Sequence, residues 1–127
     1  MSYPSRIAID GNDNIVVADR GNHRIEVFGP DGKFKHKFGS KGSGDDQFDG
    51  PIGVSIDGDG NIVVSDFSNH QIKVFGSDGK FIHKFGSGGS GDGQLSNPYG
   101  VAIDGNGHII VADHGNNRID VFGPDGK

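Results

Sequence analysis

Six histidines, sixteen aspartates and a single glutamate are the residues that could bind a metal or move a proton in this chain, which has no cysteine. Their spacing argues against both chemistries. Asp57-Gly58-Asp59-Gly60-Asn61 alternates oxygen donors in the manner of a calcium loop. An EF-hand loop also needs Gly at its sixth position and a later bidentate Glu. Here Ile62 stands sixth and no Glu follows. The related runs Asp10-Gly11-Asn12-Asp13-Asn14 and Asp104-Gly105-Asn106-Gly107-His108 do not preserve the donors, so tight hairpin turns explain them better. None of the histidines has the i, i+4 spacing of a helical zinc pair. The serines fall mostly in Gly/Ser runs, without the strand–turn–helix setting of a nucleophile elbow. No enzyme, metal or cofactor is expected. A metal-assisted lyase is the weakest of three functional readings.

The elements that would position these residues follow from composition. Among the 127 residues are 13 Ile and 10 Val, against one Leu and four Ala, and 24 Gly. Good helix formers are scarce, whereas β-branched and turn-forming residues abound, so the chain is expected to be all-β. There is no apolar run of membrane-spanning length and no N-terminal signal pattern. No membrane association is expected, and a natural protein of this kind would be cytoplasmic. The net charge of −5 argues mildly against nucleic acid as a default partner.

A period of 47 residues dominates the sequence. It relates Asp10 to Asp57 and Asp104, and Asp19 to Asp66 and Asp113, without a gap. Residues 1–33 match residues 95–127 at 22 of 33 positions, and 34–47 match 81–94 at 11 of 14. The repeats are therefore 1–47, 48–94 and 95–127, forming a single segment. In the second repeat the pattern predicts strands over 53–57, 61–66, 71–75 and 81–85, separated by Gly/Asp/Asn turns. Four antiparallel strands in about 47 residues, repeated, signify a β-propeller blade. The third blade is expected to lack its outer strand. Small residues Ala8, Ser55 and Ala102 on the innermost strands suit a crowded axis.

Asp19-Arg20-Gly21-Asn22-His23-Arg24-Ile25-Glu26-Val27-Phe28, with Pro51-Ile52-Gly53-Val54 and Pro98-Tyr99-Gly100-Val101, resembles the NHL repeat. The likeness is greatest to the NHL domains of tripartite-motif proteins and related translational regulators. It implies a propeller, commonly of six blades, that binds RNA or protein. The ubiquitin-ligase activity of some members resides in a Cys-rich RING domain and does not carry over. NHL-related amidating lyases bind metal, but their ligand pattern is not matched.

Three blades would leave apolar end faces open, which monomers rarely tolerate. Two chains are therefore expected to close a six-bladed homodimeric ring about a two-fold axis. The gapless repeats fit either a fragment of a longer propeller or an engineered or reconstructed half-propeller, and both readings stay open.

Antiparallel order divides the turns between two rims. One rim carries Asp10, Asp13, Asp31, Asp57, Asp59, Asp78, Asp104 and Asp125 against Lys33, Lys80 and Lys127, which accounts for the whole net charge. The other holds the binding candidates Arg20, His23, Phe67, His70, His114 and Arg118, chemically suited to single-stranded RNA or a protein ligand. Asp19, Asn22, Arg24, Asp66, Asn69, Asp113 and Asn116 recur between repeats and are read as a structural network. The variable position Arg20/Phe67/His114 is the better functional candidate.

Overall fold

The computed structural model describes residues 3–126. They form three antiparallel sheets. The first comprises β1 (Pro4–Ile9), β2 (Ile15–Asp19), β3 (Arg24–Phe28) and β4 (Phe34–Phe38). The second comprises β5 (Pro51–Ile56), β6 (Ile62–Asp66), β7 (Gln71–Phe75) and β8 (Phe81–Phe85). The third has β9 (Pro98–Ile103), β10 (Ile109–Asp113) and β11 (Arg118–Phe122). Each sheet is an up-and-down blade in sequence order. The strand expected to start at Gly53 begins two residues earlier, at Pro51, with an irregularity in register before Val54. Lys127, assigned to the acidic rim from sequence, lies outside the described residues. Among the described residues, no helix is long and apolar enough to cross a membrane.

The aspartate runs are turns. Asp10 Oδ1 accepts the backbone N–H groups of Asn12 and Asn14, both at 2.9 Å. Asp57 does the same for Asp59 and Asn61, and Asp104 for Asn106 and His108. These carboxylates satisfy a hairpin backbone and have a local role without any ion. The His108 N–H bond holds Asp104 below the usual carboxylate range.

The core lies between blades. Val16, Ala18, Ile25 and Val27 of the first sheet meet Val54, Ile62, Val64 and Phe75 of the second. Val63, Ile72 and Val74 meet Ile109, Val111 and Phe122 across the next junction. The six residues of the second junction are the counterparts, one repeat on, of Val16, Ile25, Val27, Ile62, Val64 and Phe75, so the two junctions are built alike.

Crowding on the inner strands falls at Gly53, since Ala8 and Ser55 are half-buried and Ala102 is exposed. A Cβ at Gly53 would press on Tyr99 O and stand 2.7 Å from Ser65 Oγ. At the equivalent Gly100 a Cβ would meet nothing within 4 Å. Gly53→Ala is therefore expected to cost about 1–3 kcal/mol through overpacking, and Gly100→Ala far less, in urea unfolding of the two variants. Equal effects would show that the β5–β9 junction is loosely packed. The hydroxyls at the two inner junctions, β1–β5 and β5–β9, show two solutions to one bond. Ser65 Oγ donates to Tyr99 O, while Ser5 Oγ donates to the equivalent Ile52 O at 2.9 Å.

Candidate functional site

Each link between the second and third strands of a blade is one turn of 3₁₀ helix ending in a left-handed residue, His23, His70 or Asn117, at φ 53°, 56° and 52°. Asp19, Asp66 and Asp113 precede these turns and are fully buried. Asn22, Asn69 and Asn116 each donate a side-chain bond to them, at 3.0, 2.7 and 2.9 Å. Asp66 Oδ1 also accepts the Asp49 N–H at 2.7 Å, and Asp113 Oδ1 the Ser96 N–H at 2.8 Å. The repeated aspartate thus ties a blade to the loop arriving from the previous one.

A cation completes the tie, and its position changes between blades. Arg118 lies 3.3 Å from Asp113 and donates to the carbonyls of Ser90, Gly91 and Gln94. In the second blade Gln71 occupies the arginine position, and Lys73, two residues on, takes over. Lys73 Nζ is 2.9 Å from Asp66 Oδ2 and donates to Gly44 O and Gln47 O. Its side chain is fully buried. Arg24 lies 3.5 Å from Asp19 and 3.3 Å from Glu26. Burial, followed by the adjoining Asp19 carboxylate, pushes the Glu26 carboxyl up. Burial and Asp113 do the same to Asp120. Burial also acts upward on Asp113, but the Ser96 N–H, Asn116 and Arg118 bring its carboxyl below the usual range.

These locks engage three of the residues nominated as ligand contacts. His23 Nδ1 accepts the Gly50 N–H at 3.0 Å, and His70 Nδ1 accepts the Asn97 N–H at 3.0 Å. Arg118 is occupied by loop carbonyls, as above. The other three lie along one line on the rim. The Arg20 guanidinium sits 5.4 Å from the Phe67 ring centroid. Phe67 meets Tyr99 edge-on at 5.6 Å, and Tyr99 lies over His114 at 5.0 Å. Sequence reasoning missed Tyr99, because it begins an inner strand and falls at a different repeat position from the other three. It also missed Lys73, although the exchange of Arg24/Glu26 for Gln71/Lys73 is visible when the repeats are aligned.

The NHL repeat model matches residues 1–28, 48–75 and 95–122. The chain belongs to the NHL-repeat family. Over 47 residues, 37% of this chain, it is 43% identical to the protein brain tumor of Drosophila melanogaster. Over 35 residues, 28% of this chain, it is 51% identical to the B-box type zinc finger protein ncl-1 of Caenorhabditis elegans. Each match spans 4% of the relative's own length. Among solved structures, a streptogramin B lyase superposes with TM-score 0.78 at 19% identity, covering 99% of this NHL chain and 39% of the lyase. A gluconolactonase from Xanthomonas campestris gives 0.73 at 15% identity, covering 99% of this chain and 45% of the other. At such identity the likeness shows a shared propeller fold and says nothing of catalysis.

Proposed function

We propose that this NHL chain is a non-catalytic propeller module whose copies close one six-bladed ring, leaving the loop-bearing rim for a ligand. One observation carries the reading. Ile119 and Val121 are 65% and 62% exposed, whereas their repeat equivalents Ile72 and Val74 are 0% and 3% exposed. On the opposite end face Ile7 is 64% exposed, while its equivalent Val54 is 6% exposed. The exposed side chains are those that the internal junctions bury, split between the two ends. A second copy offers each end its counterpart, and two copies provide six blades. Light scattering at micromolar concentration should give the mass of a dimer. A folded monomer throughout that range overturns the reading.

A second reading, in which the rim takes single-stranded RNA, is favoured by the Arg20–Phe67–Tyr99–His114 line. Aromatic faces stack on bases without sequence preference, and an arginine adds phosphate attraction. Phe67→Ala should then weaken binding by about 1–3 kcal/mol per stacked base, and Arg20→Glu should weaken it most at low salt and make its salt dependence shallower. Lys80→Glu on the other rim serves as the control, because Arg118 is committed to the loop. Equal losses from Arg20→Glu and Lys80→Glu in a titration would mean diffuse electrostatics and no site. An absence of RNA binding at low salt removes this reading and leaves ring assembly.

A further inference from the structure

We propose that the cleft between the second and third blades, at the rim of acidic hairpin turns, binds an alkylammonium group, presented by a lysine side chain or a free primary amine. The first junction shows the same cleft with a cation built in. There a cleft of about 190 Å³ lies between the β1–β2 turn and the second blade. Lys35 of β4 lines it and donates from Nζ to Asn14 Oδ1 at 3.1 Å. Asn14 Nδ2 donates in turn to Asp10 Oδ2 at 2.9 Å, so ammonium, amide and carboxylate form one chain. Burial acts upward on Asp10, but its bonds from Asn14 and Asn12 and the Lys35 charge bring its carboxyl below the usual range. Every residue lining this cleft has its counterpart, one repeat on, in a cleft of about 340 Å³ at the second junction. Val63, Val74 and Ile109 repeat the buried floor made by Val16, Val27 and Ile62. The cation does not recur, because Ile82 stands at the position of Lys35.

The larger cleft keeps the receptor and lacks the ammonium. Asn61 Nδ2 donates to Asp57 Oδ2 at 3.1 Å, as Asn14 does to Asp10. Asn61 Oδ1 is the counterpart of the atom that takes the Lys35 ammonium, and no described residue donates to it. The walls carry Asp57, Asp59 and Asp104, and among the described residues no Lys or Arg lines them. Asp104 is matched in part by His108, whose Nδ1 lies 3.0 Å away. A metal ion suits this set poorly. Among the described residues, no three His, Asp or Glu side chains are grouped so as to hold one. An ammonium needs less convergence, because it offers three donors on one compact charge, and its alkyl stem can lie on the apolar floor. The cleft is at an internal junction and on the rim opposite the Arg20–Phe67 line. It therefore depends on neither ring closure nor RNA binding.

The probe is pentylammonium chloride, titrated into the whole nitrogen-15-labelled chain and followed residue by residue by NMR. Saturable shifts of the Asn61 side-chain amide are expected, with the Asn14 amide unmoved. Pentan-1-ol keeps the stem and loses the charge, and should bind about three- to tenfold more weakly. Two exchanges decide between a site and general attraction to an acidic rim. Ile82→Lys should fill the cleft from within and abolish the Asn61 shifts. Lys35→Ile should vacate the first cleft, so that the Asn14 amide now responds. Both positions are exposed, and each new residue is the one carried one repeat away, so the fold is expected to persist. N-acetyl-lysine methylamide separates the sources. Binding as tight as that of pentylammonium assigns the site to a lysine of a partner chain, and its loss assigns the site to a free amine. Equal binding of pentan-1-ol overturns the proposal. So does an unaltered Asn61 response in Ile82→Lys, a silent Asn14 in Lys35→Ile, or shifts that never saturate.

Discussion

Asp66→Ala should be among the most damaging single substitutions in this chain, costing about 3–5 kcal/mol in denaturant unfolding, because it strands a buried charge. The carboxylate serves three groups. It receives the Asp49 N–H, the Asn69 amide and the Lys73 ammonium, and so fixes the 3₁₀ turn, the incoming loop and the neighbouring strand at once. Lys73 is fully buried, so removing its counter-ion leaves an ammonium held by the Gly44 and Gln47 carbonyls and the Phe48 ring, with no charge to balance it. Asp59, on an exposed hairpin, should cost less than about 0.5 kcal/mol when replaced by alanine. The double variant Asp66→Ala with Lys73→Met should recover part of the loss, since an apolar side chain needs no counter-ion. If the double variant is no better than the single one, the carboxylate acts through the backbone donors alone.

Ile119→Asp is expected to abolish ring closure while leaving the single chain folded. Ile119 is 65% exposed in the isolated chain, so the new carboxylate stays in water until a partner covers it. Covering it without a counter-charge would cost about 2–4 kcal/mol at each junction. A two-fold ring contains that junction twice, so the dimer constant should fall by several orders of magnitude, at about 1.4 kcal/mol per tenfold. Ile7→Asp on the opposite face should do the same. Sedimentation of the variants beside the parent would read the change, with circular dichroism to check that strands persist. A dimer of unchanged strength in both variants would mean that these faces are not its contact.

Nearly all of the strand pattern could be read from the sequence, because alternation and Gly/Asp turns act locally and the repeat displayed them three times. Pairing of β1 to β4 in chain order follows from links too short for any other route. The loops were less legible. Residues 39–50 are rich in Gly and Ser and carry no strand pattern, yet Phe48 is fully buried and Gln47 Oε1 accepts the Gly44 N–H at 3.0 Å. Glycine tolerates those turns, and the one aromatic residue decides where the loop sits. The histidines concealed a structural bond for a similar reason. His23 and His70 looked like ligand contacts on a rim, but their left-handed backbone brings Nδ1 to a loop N–H. Side-chain type suggested recognition, and only backbone geometry disclosed the bond.

Among the described residues, the middle blade is the one sheet with a neighbour packed on both faces. Amide hydrogens in arrays of stacked units exchange through the loosening of whole units, beginning at the ends. In dilute solution, deuterium should therefore enter β9 to β11 and β1 early and β6 and β7 last. If two copies close the proposed ring, the early amides of the outer blades should slow towards the middle ones. The spread of exchange times within one chain would then serve as an internal gauge of assembly, read residue by residue at concentrations too low for a mass measurement.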